Sequence, residues 1–424
     1  MPQEASMSRR QLLRVAVATG GAAGLAACID AYDEPIPTGG GPLPPGQHHW
    51  NDQLRTDQAG NHELPRHHLL LYADLRVREM GESVVRDRVR GALEGLTDAY
   101  EWGPQGLLFT VGYSPAYFRR VFGRPPADVD LPAPRRLSPF ETPTFDQHDL
   151  LIHLASDRAD AVMGAEAALR GEQAHVNGFD RAVAIDDLLG RTDRRTGFVG
   201  AGMPADRQSG LVGIPEGDPV PEDAPLFMGF MTGFRQNQAT EEAVELPDGA
   251  FRGGTTLHLA NIRLSLDAWY TENSHAEQVA KLFSPEHAAT GRVPGVGHAL
   301  GDDNGITSAI VDQIDADAAS AGVVGHAQKA ARANRAADGT ALTLRRHFES
   351  TDDGVASLHF PSYQRTISRF EAVTEAMNGS DIAADHPQVR QRVNNGILRY
   401  MFVRSRGNFL IPPRSQWALP TPTG

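Results

Sequence analysis

The stretch HDLLIHLASDRADAV, residues 148–162, decides how the first half of this chain is read. Leu150, Leu151, Ile152 and Leu154 make an apolar run too short for a helix and too continuous for a half-exposed strand, which predicts a buried strand. Past Asp157 and Arg158 the pattern changes: Ala, Val and Leu recur at helical spacing as far as Leu169. Two similar apolar runs precede it, HLLLYADL (68–75) and GLLFTVGYS (106–114), with a helical segment at 82–99 between them. Strand, helix, strand, strand, helix is the order of a ferredoxin-like α+β unit.

The second half repeats this logic. GTTLHLANIRLSL (254–266) reads as a strand and HAEQVAKLF (275–283) as a helix. VASLHFPSYQ (355–364) is a further strand, ISRFEAVTEAM (367–377) a further helix, and NFLIPP (408–413) closes the sheet. Residues 172–250 and 284–322 are rich in Gly, Pro and Asp and read as long connections that close a pocket over the second unit. The expected fold is α+β, with two ferredoxin-like units packed as a barrel. The N-terminal unit covers 54–195 and the C-terminal unit, which carries the pocket, covers 196–424.

Ahead of these units the chain reads as targeting sequence and spacer. From Ser8, SRRQLLRVAVATGGAAGLAAC has an apolar run well below the ~20 residues needed to cross a bilayer. Arg9-Arg10 with Leu12 and Leu13 resembles a twin-arginine export signal, and Leu25 to Cys28 resembles a lipobox. The expectation for 1–28 is export, with a lipid anchor on Cys28 as the membrane contact; 29–53 is a Pro/Gly-rich tether. Cys28 is the sole cysteine, which excludes an intrachain disulfide and a cysteine-based zinc site. A net charge of −13 argues against nucleic acid as a partner.

Six segments in order resemble the dye-decolourising peroxidase (DyP) family of haem enzymes. They are TDQAGNHELPRHHLLLYADL (56–75), LLFTVGYSPAYF (107–118), HDLLIHLASDRADAV, FRGGTTLHLANIRLSLDAW (251–269), VASLHFPSYQRTISRFE (355–371) and ILRYMFVRSRGNFLIPP (397–413). The resemblance covers roughly residues 54–414 and implies the barrel shared with chlorite dismutase-like proteins. It implies haem b as cofactor, hydrogen peroxide and an organic reductant as partners, and leaves room for a homo-oligomer. His326, in VVGHAQKAARANRAADGTALTLRRHF (323–348), falls where the family has the proximal ligand to haem iron. Arg345 falls where it has the distal arginine, and Phe230 and Phe348 fall where the macrocycle would be contacted. Neutral imidazole is a common axial ligand, and a guanidinium on the opposite face can orient peroxide and stabilise separating charge.

The family's Gly-Phe-x-Asp-Gly motif is altered. Its counterpart LFMGFMTGFRQNQ (226–238) has Thr232 where the aspartate belongs; a second candidate, TGFVGAGMP (196–204), puts Gly200 there. Threonine does not deprotonate near neutral pH, so a general acid–base is missing from that position. Arg399 stands where the family has a carboxylate to accept the proximal imidazole N–H. These departures leave a second reading, a haem- or porphyrin-binding lipoprotein without efficient turnover. The pairs His48-His49 and His67-His68 are expected to be solvated rather than ligands.

Overall fold

The computed structural model describes residues 34–422 apart from 174 and 180–182. The Arg9-Arg10 pair, the lipobox and Cys28 lie outside these residues. Among the described residues no helix is long and apolar enough to cross a membrane.

Ten strands form one sheet: β1 (His67–Leu75), β2 (Leu108–Tyr113), β3 (Thr144–Phe145), β4 (Leu150–Ser156), β5 (Leu189–Phe198), β6 (Thr255–Leu264), β7 (Leu344–Arg345), β8 (Phe348–Ser350), β9 (Ser357–Gln364) and β10 (Met401–Ile411). The order is β2-β4-β1-β5-β8-β9-β6-β10-β3, with β7 also on β9, and β10 pairs β2 so that the sheet closes. The halves are alike. β2-β4-β1-β5 and β8-β9-β6-β10 share one antiparallel order, second-third-first-fourth, which is that of a ferredoxin-like unit. The expected α+β barrel of two such units is the fold observed.

Two thin seams join the units. β5 meets β8 at Phe198 and Glu349, and β10 meets β2 at Leu410 and Tyr113. A glycine sits at each seam because the neighbouring strand comes too close for a side chain. A β-carbon on Gly197 would lie 2.2 Å from the Phe348 ring, and one on Gly112 would lie 2.7 Å from Ile411.

The apolar runs are explained by burial on both faces. In β1, Leu69, Leu71 and Ala73 pack outward against the Glu82–Ala99 and Ala159–Leu169 helices, while Leu70 and Tyr72 point into the barrel. In β6, Leu257 and Leu259 point inward, and Ala260, Ile262 and Leu264 face the second layer. The helices expected at 82–99 and 367–377 have those bounds, and those at Ala159–Leu169 and His275–Leu282 differ by a residue at one end.

Four strands escaped the sequence pattern: the two-residue β3 and β7, and β5 and β8. β5, inside the expected 172–250 connection, reads LGRTDRRTGF and has no apolar run. Its pairing with β1 and its polar contacts hold it instead: Arg194 pairs with Glu166, Arg195 with Asp146, and Thr196 donates to Asp352. β8 is three residues long, too short to show a period. β10 begins at Met401, seven residues before the expected NFLIPP strand.

Candidate functional site

The C-terminal half holds a cavity between the outer face of its sheet and its helices. Its empty volume is about 1540 Å³, a figure that includes space at the open mouth. Its walls are apolar: Ile262 and Leu264 of β6, Leu358 and Phe360 of β9, and Phe370, Val373 and Met377 of the Ile367–Met377 helix. Three polar groups anticipated from sequence, His326, Arg345 and Thr232, line this one cavity.

His326 opens the His326–Ala333 helix, whose residues His326, Ala330 and Asn334 recur every four positions and face the cavity. The helix start is tightly set. Gly325 leaves no room for a side chain, since a β-carbon there would sit 1.8 Å from the Phe283 carbonyl oxygen. Gln328 accepts from the Gly325 N–H at 2.8 Å and donates to Ile310 and Asp317. Gly396 packs against the His326 backbone, and its N–H donates to the Val324 carbonyl. Burial, then the Lys329 and Arg345 charges, push His326 down to about 3. The imidazole is therefore neutral at physiological pH and can donate a lone pair to a metal. Its Nδ1 is buried without a hydrogen-bond partner. Arg399 does not face it: that guanidinium is near the surface, 2.9 Å from Glu272.

Arg345 and Arg346 are adjacent and have opposite tasks. Arg346 points inward, ion-paired with buried Glu241 and stacked over Trp50 at 4.6 Å. Arg345 faces the cavity and touches only neutral groups: Nε donates to Gln238 at 3.3 Å and a terminal nitrogen to the Asn237 carbonyl at 3.3 Å. Among the described residues no carboxylate pairs with it. Burial and Arg335 lower it to about 10, so it stays charged at neutral pH. The cavity's other buried arginine, Arg406, is held by both oxygens of Glu141 at 3.0 and 2.8 Å.

Side chains two apart on a strand share a face, so His347 and Glu349 line the cavity beside Arg345. Sequence reasoning missed both, although the i+2 spacing from Arg345 was there to read. His347 Nε2 lies 3.1 Å from Thr232 Oγ1, its ring stacks on Phe360, and its Nδ1 has no partner. Burial, then Arg345, holds it down at about 4, neutral at pH 7. Glu349 accepts from the Phe227 N–H at 2.6 and 2.8 Å, and burial raises it well above the usual carboxyl range. The loop carrying Thr232 is pinned by Trp269, which donates to the Met228 carbonyl at 3.0 Å, and by the Met231 N–H on Val296.

Two anticipated residues lie elsewhere. Phe348, one position out of phase, points into the barrel and stacks on His68 at 4.4 Å. Phe230 packs among Trp269, His275 and Phe283, outside the cavity lining. Gly200 lines an adjoining polar channel rather than the cavity. That channel, about 2540 Å³ by the same measure with its open mouth, runs past Arg55, His62, Asp223 and Arg235 and shares Thr232, Arg345 and His347 with the cavity.

Residues 65–413 match the family described as "Family of unknown function (DUF7405)". The chain belongs to that family. No curated protein matches the sequence. Solved structures do match the fold of this DUF7405 member. The encapsulated DyP-type peroxidase of Mycobacterium smegmatis is 15% identical with a TM-score of 0.56, over 88% of this chain and 100% of that one. The dye-decolorizing protein of V. cholerae is 14% identical with a TM-score of 0.53, over 87% and 98%. A DypB variant of Rhodococcus jostii RHA1, in complex with heme, is 16% identical with a TM-score of 0.52, over 84% and 96%. At these identities the likeness shows the fold: this chain has a DyP-like fold.

Proposed function

We propose that this protein is a haem-dependent peroxidase of the DyP type that reduces hydrogen peroxide and oxidises an organic reductant. One observation carries the reading. A neutral imidazole and a cation with no carboxylate partner among the described residues line the same apolar cavity, and that cavity meets a second, charge-lined one at the cation. The donor set suits haem b: His326 supplies a lone pair held by a fixed helix start, and flat apolar walls suit a macrocycle. Haem iron, when bound, supplies the two-electron reduction of peroxide.

The chain's own groups do the rest. Arg345 binds the peroxide arriving along the channel and stabilises negative charge on the departing oxygen. Thr232 and His347 stand in for the absent aspartate. Thr232 need not ionise: its hydroxyl can pass a proton to His347 Nε2 while taking one from peroxide, and His347 then returns that proton to the departing oxygen, which leaves as water. Glu349, whose carboxyl burial raises well above the usual range, lies on the same face. Leu226, Met228 and Phe360 exclude water from the cavity side.

The partnerless Nδ1 of His326 favours a second reading, a haem-binding protein with slow turnover. With no carboxylate to accept its N–H the imidazole is a weaker donor. With either reading we propose export through the Arg9-Arg10 signal and a lipid anchor on Cys28, supported by the sequence SRRQLLRVAVATGGAAGLAAC alone. Haem titration followed by peroxide and a phenolic dye tests the proposal. A Soret band with peroxide-dependent dye oxidation supports it; a Soret band without oxidation leaves the binding protein; no Soret band refutes both.

A further inference from the structure

A second cluster of ligating side chains lies outside that cavity, where the segment around Trp50 crosses the loop at 241–245. We propose that His48, His49 and Glu245 form a site for a divalent transition-metal ion of the zinc class, separate from any haem. One ring nitrogen from each histidine and one oxygen of Glu245 all lie within 4.8 Å of one another. Two imidazoles and one carboxylate are a known donor set for Zn²⁺, with a fourth position open to water.

His48 makes the case. It was expected to be solvated, yet it is wholly buried. Its Nε2 lies 3.2 Å from the Glu241 carbonyl oxygen, while Nδ1 is buried without a partner. An Nε2–H donated to that carbonyl leaves Nδ1 with a free lone pair, the arrangement a metal-binding histidine adopts. A buried polar atom left unpaired calls for an explanation, and an ion is one.

His49 and Glu245 point the same way. His49 Nε2 sits 2.8 Å from Glu245 Oε1, but without hydrogen-bond alignment, as when both groups aim at a third point. Gly46 permits the crowding: a β-carbon there would lie 3.0 Å from His49 Nε2 and 3.1 Å from His48 Cε1. Arg346, the nearby cation, is neutralised by Glu241. Glu241 also accepts the N–H groups of Trp50 and Asn51 at 2.6 and 3.0 Å. An ion here would clamp the 46–50 segment to the loop that anchors Arg346, beside Arg345 in the channel wall. No sequence spacing announces this site, because Glu245 follows the histidine pair by nearly two hundred residues.

The test is a calorimetric Zn²⁺ titration of the metal-free full-length protein, alone and with haem added to occupy His326. The expected result is one equivalent bound at micromolar affinity or tighter, haem or no haem, with a thermal midpoint raised by several degrees. Glu245→Gln and His49→Ala, both at partly exposed positions, should weaken binding at least 100-fold and abolish the midpoint rise. Both should leave haem uptake unchanged. Co²⁺ in place of Zn²⁺ should show the intense visible bands of four-coordination in the wild type only. Absence of stoichiometric binding, or equal binding by the two variants, overturns the proposal without bearing on the haem reading.

Discussion

β2 in the first unit and the β7–β8 segment in the second occupy the same place in the same strand order, yet their outer faces are opposites. On β2 the outward residues are Phe109, Val111 and Tyr113, packed against their own helices in a dry core. On β7–β8 they are Arg345, His347 and Glu349, facing a cavity. The backbone is equivalent; alternate side chains decide whether the helices rest on the sheet or stand off from it. One unit is a support, and its counterpart has given up close packing for a pocket. The proposed function rests on three alternate positions along the extended 345–349 segment, not on the barrel.

The largest effect should come from removing the ligand that gives the pocket its purpose. His326→Ala should abolish haem uptake, read as loss of the Soret band, with the fold retained by circular dichroism. If the variant takes up haem to full occupancy, the cavity does not use that imidazole. Next, Arg345→Leu should keep haem but slow its reaction with peroxide by ~10²–10³-fold in stopped-flow traces, because the cavity's other buried arginine, Arg406, is committed to Glu141.

His347→Leu should cost about 10²-fold in the same measurement. The wild-type rate should hold from pH 7 down to about 5 and fall as acidity passes about 4, where His347 gains its proton and can accept no other. A rate unchanged at pH 3.5 would remove His347 from the proton path. Thr232→Asp should raise turnover about tenfold by restoring a carboxylate beside that imidazole.

The smallest effect contrasts the two faces directly. Phe109→Ala, deep in the packed unit, should destabilise the protein by ~3–5 kcal/mol in urea unfolding. Phe360→Ala, on a cavity wall and only half-buried, should cost clearly less. Equal losses would mean that the cavity is packed as tightly as the core.

Much of this was legible in the sequence. β1, β2 and β4 of the first unit and four helices follow from apolar runs and helical spacing, because burial on both faces leaves few alternatives at those positions. β5 was not legible: its register rests on arginine pairs such as Arg195 with Asp146, which have no local period. His326, Arg345 and Thr232 came from a likeness to a family and share a cavity. Phe348 shows the limit of that likeness, since a shift of one residue on a strand sends a side chain to the other side. The contact between Thr232 and His347 joins positions 115 residues apart, and the burial of His48 depends on a loop 193 residues later. Neither leaves a trace in local pattern.

The seam at Gly197 ties the dry unit to the wet one. Phe348 lies flush against that backbone, wedged between the two residues whose side chains face the pocket. Any methyl added at Gly197 would push the ring, and the ring would tilt its neighbours His347 and Glu349 with it. The first unit thus acts as the anvil behind that segment, and a change at buried Gly197 would be felt as a misaimed imidazole.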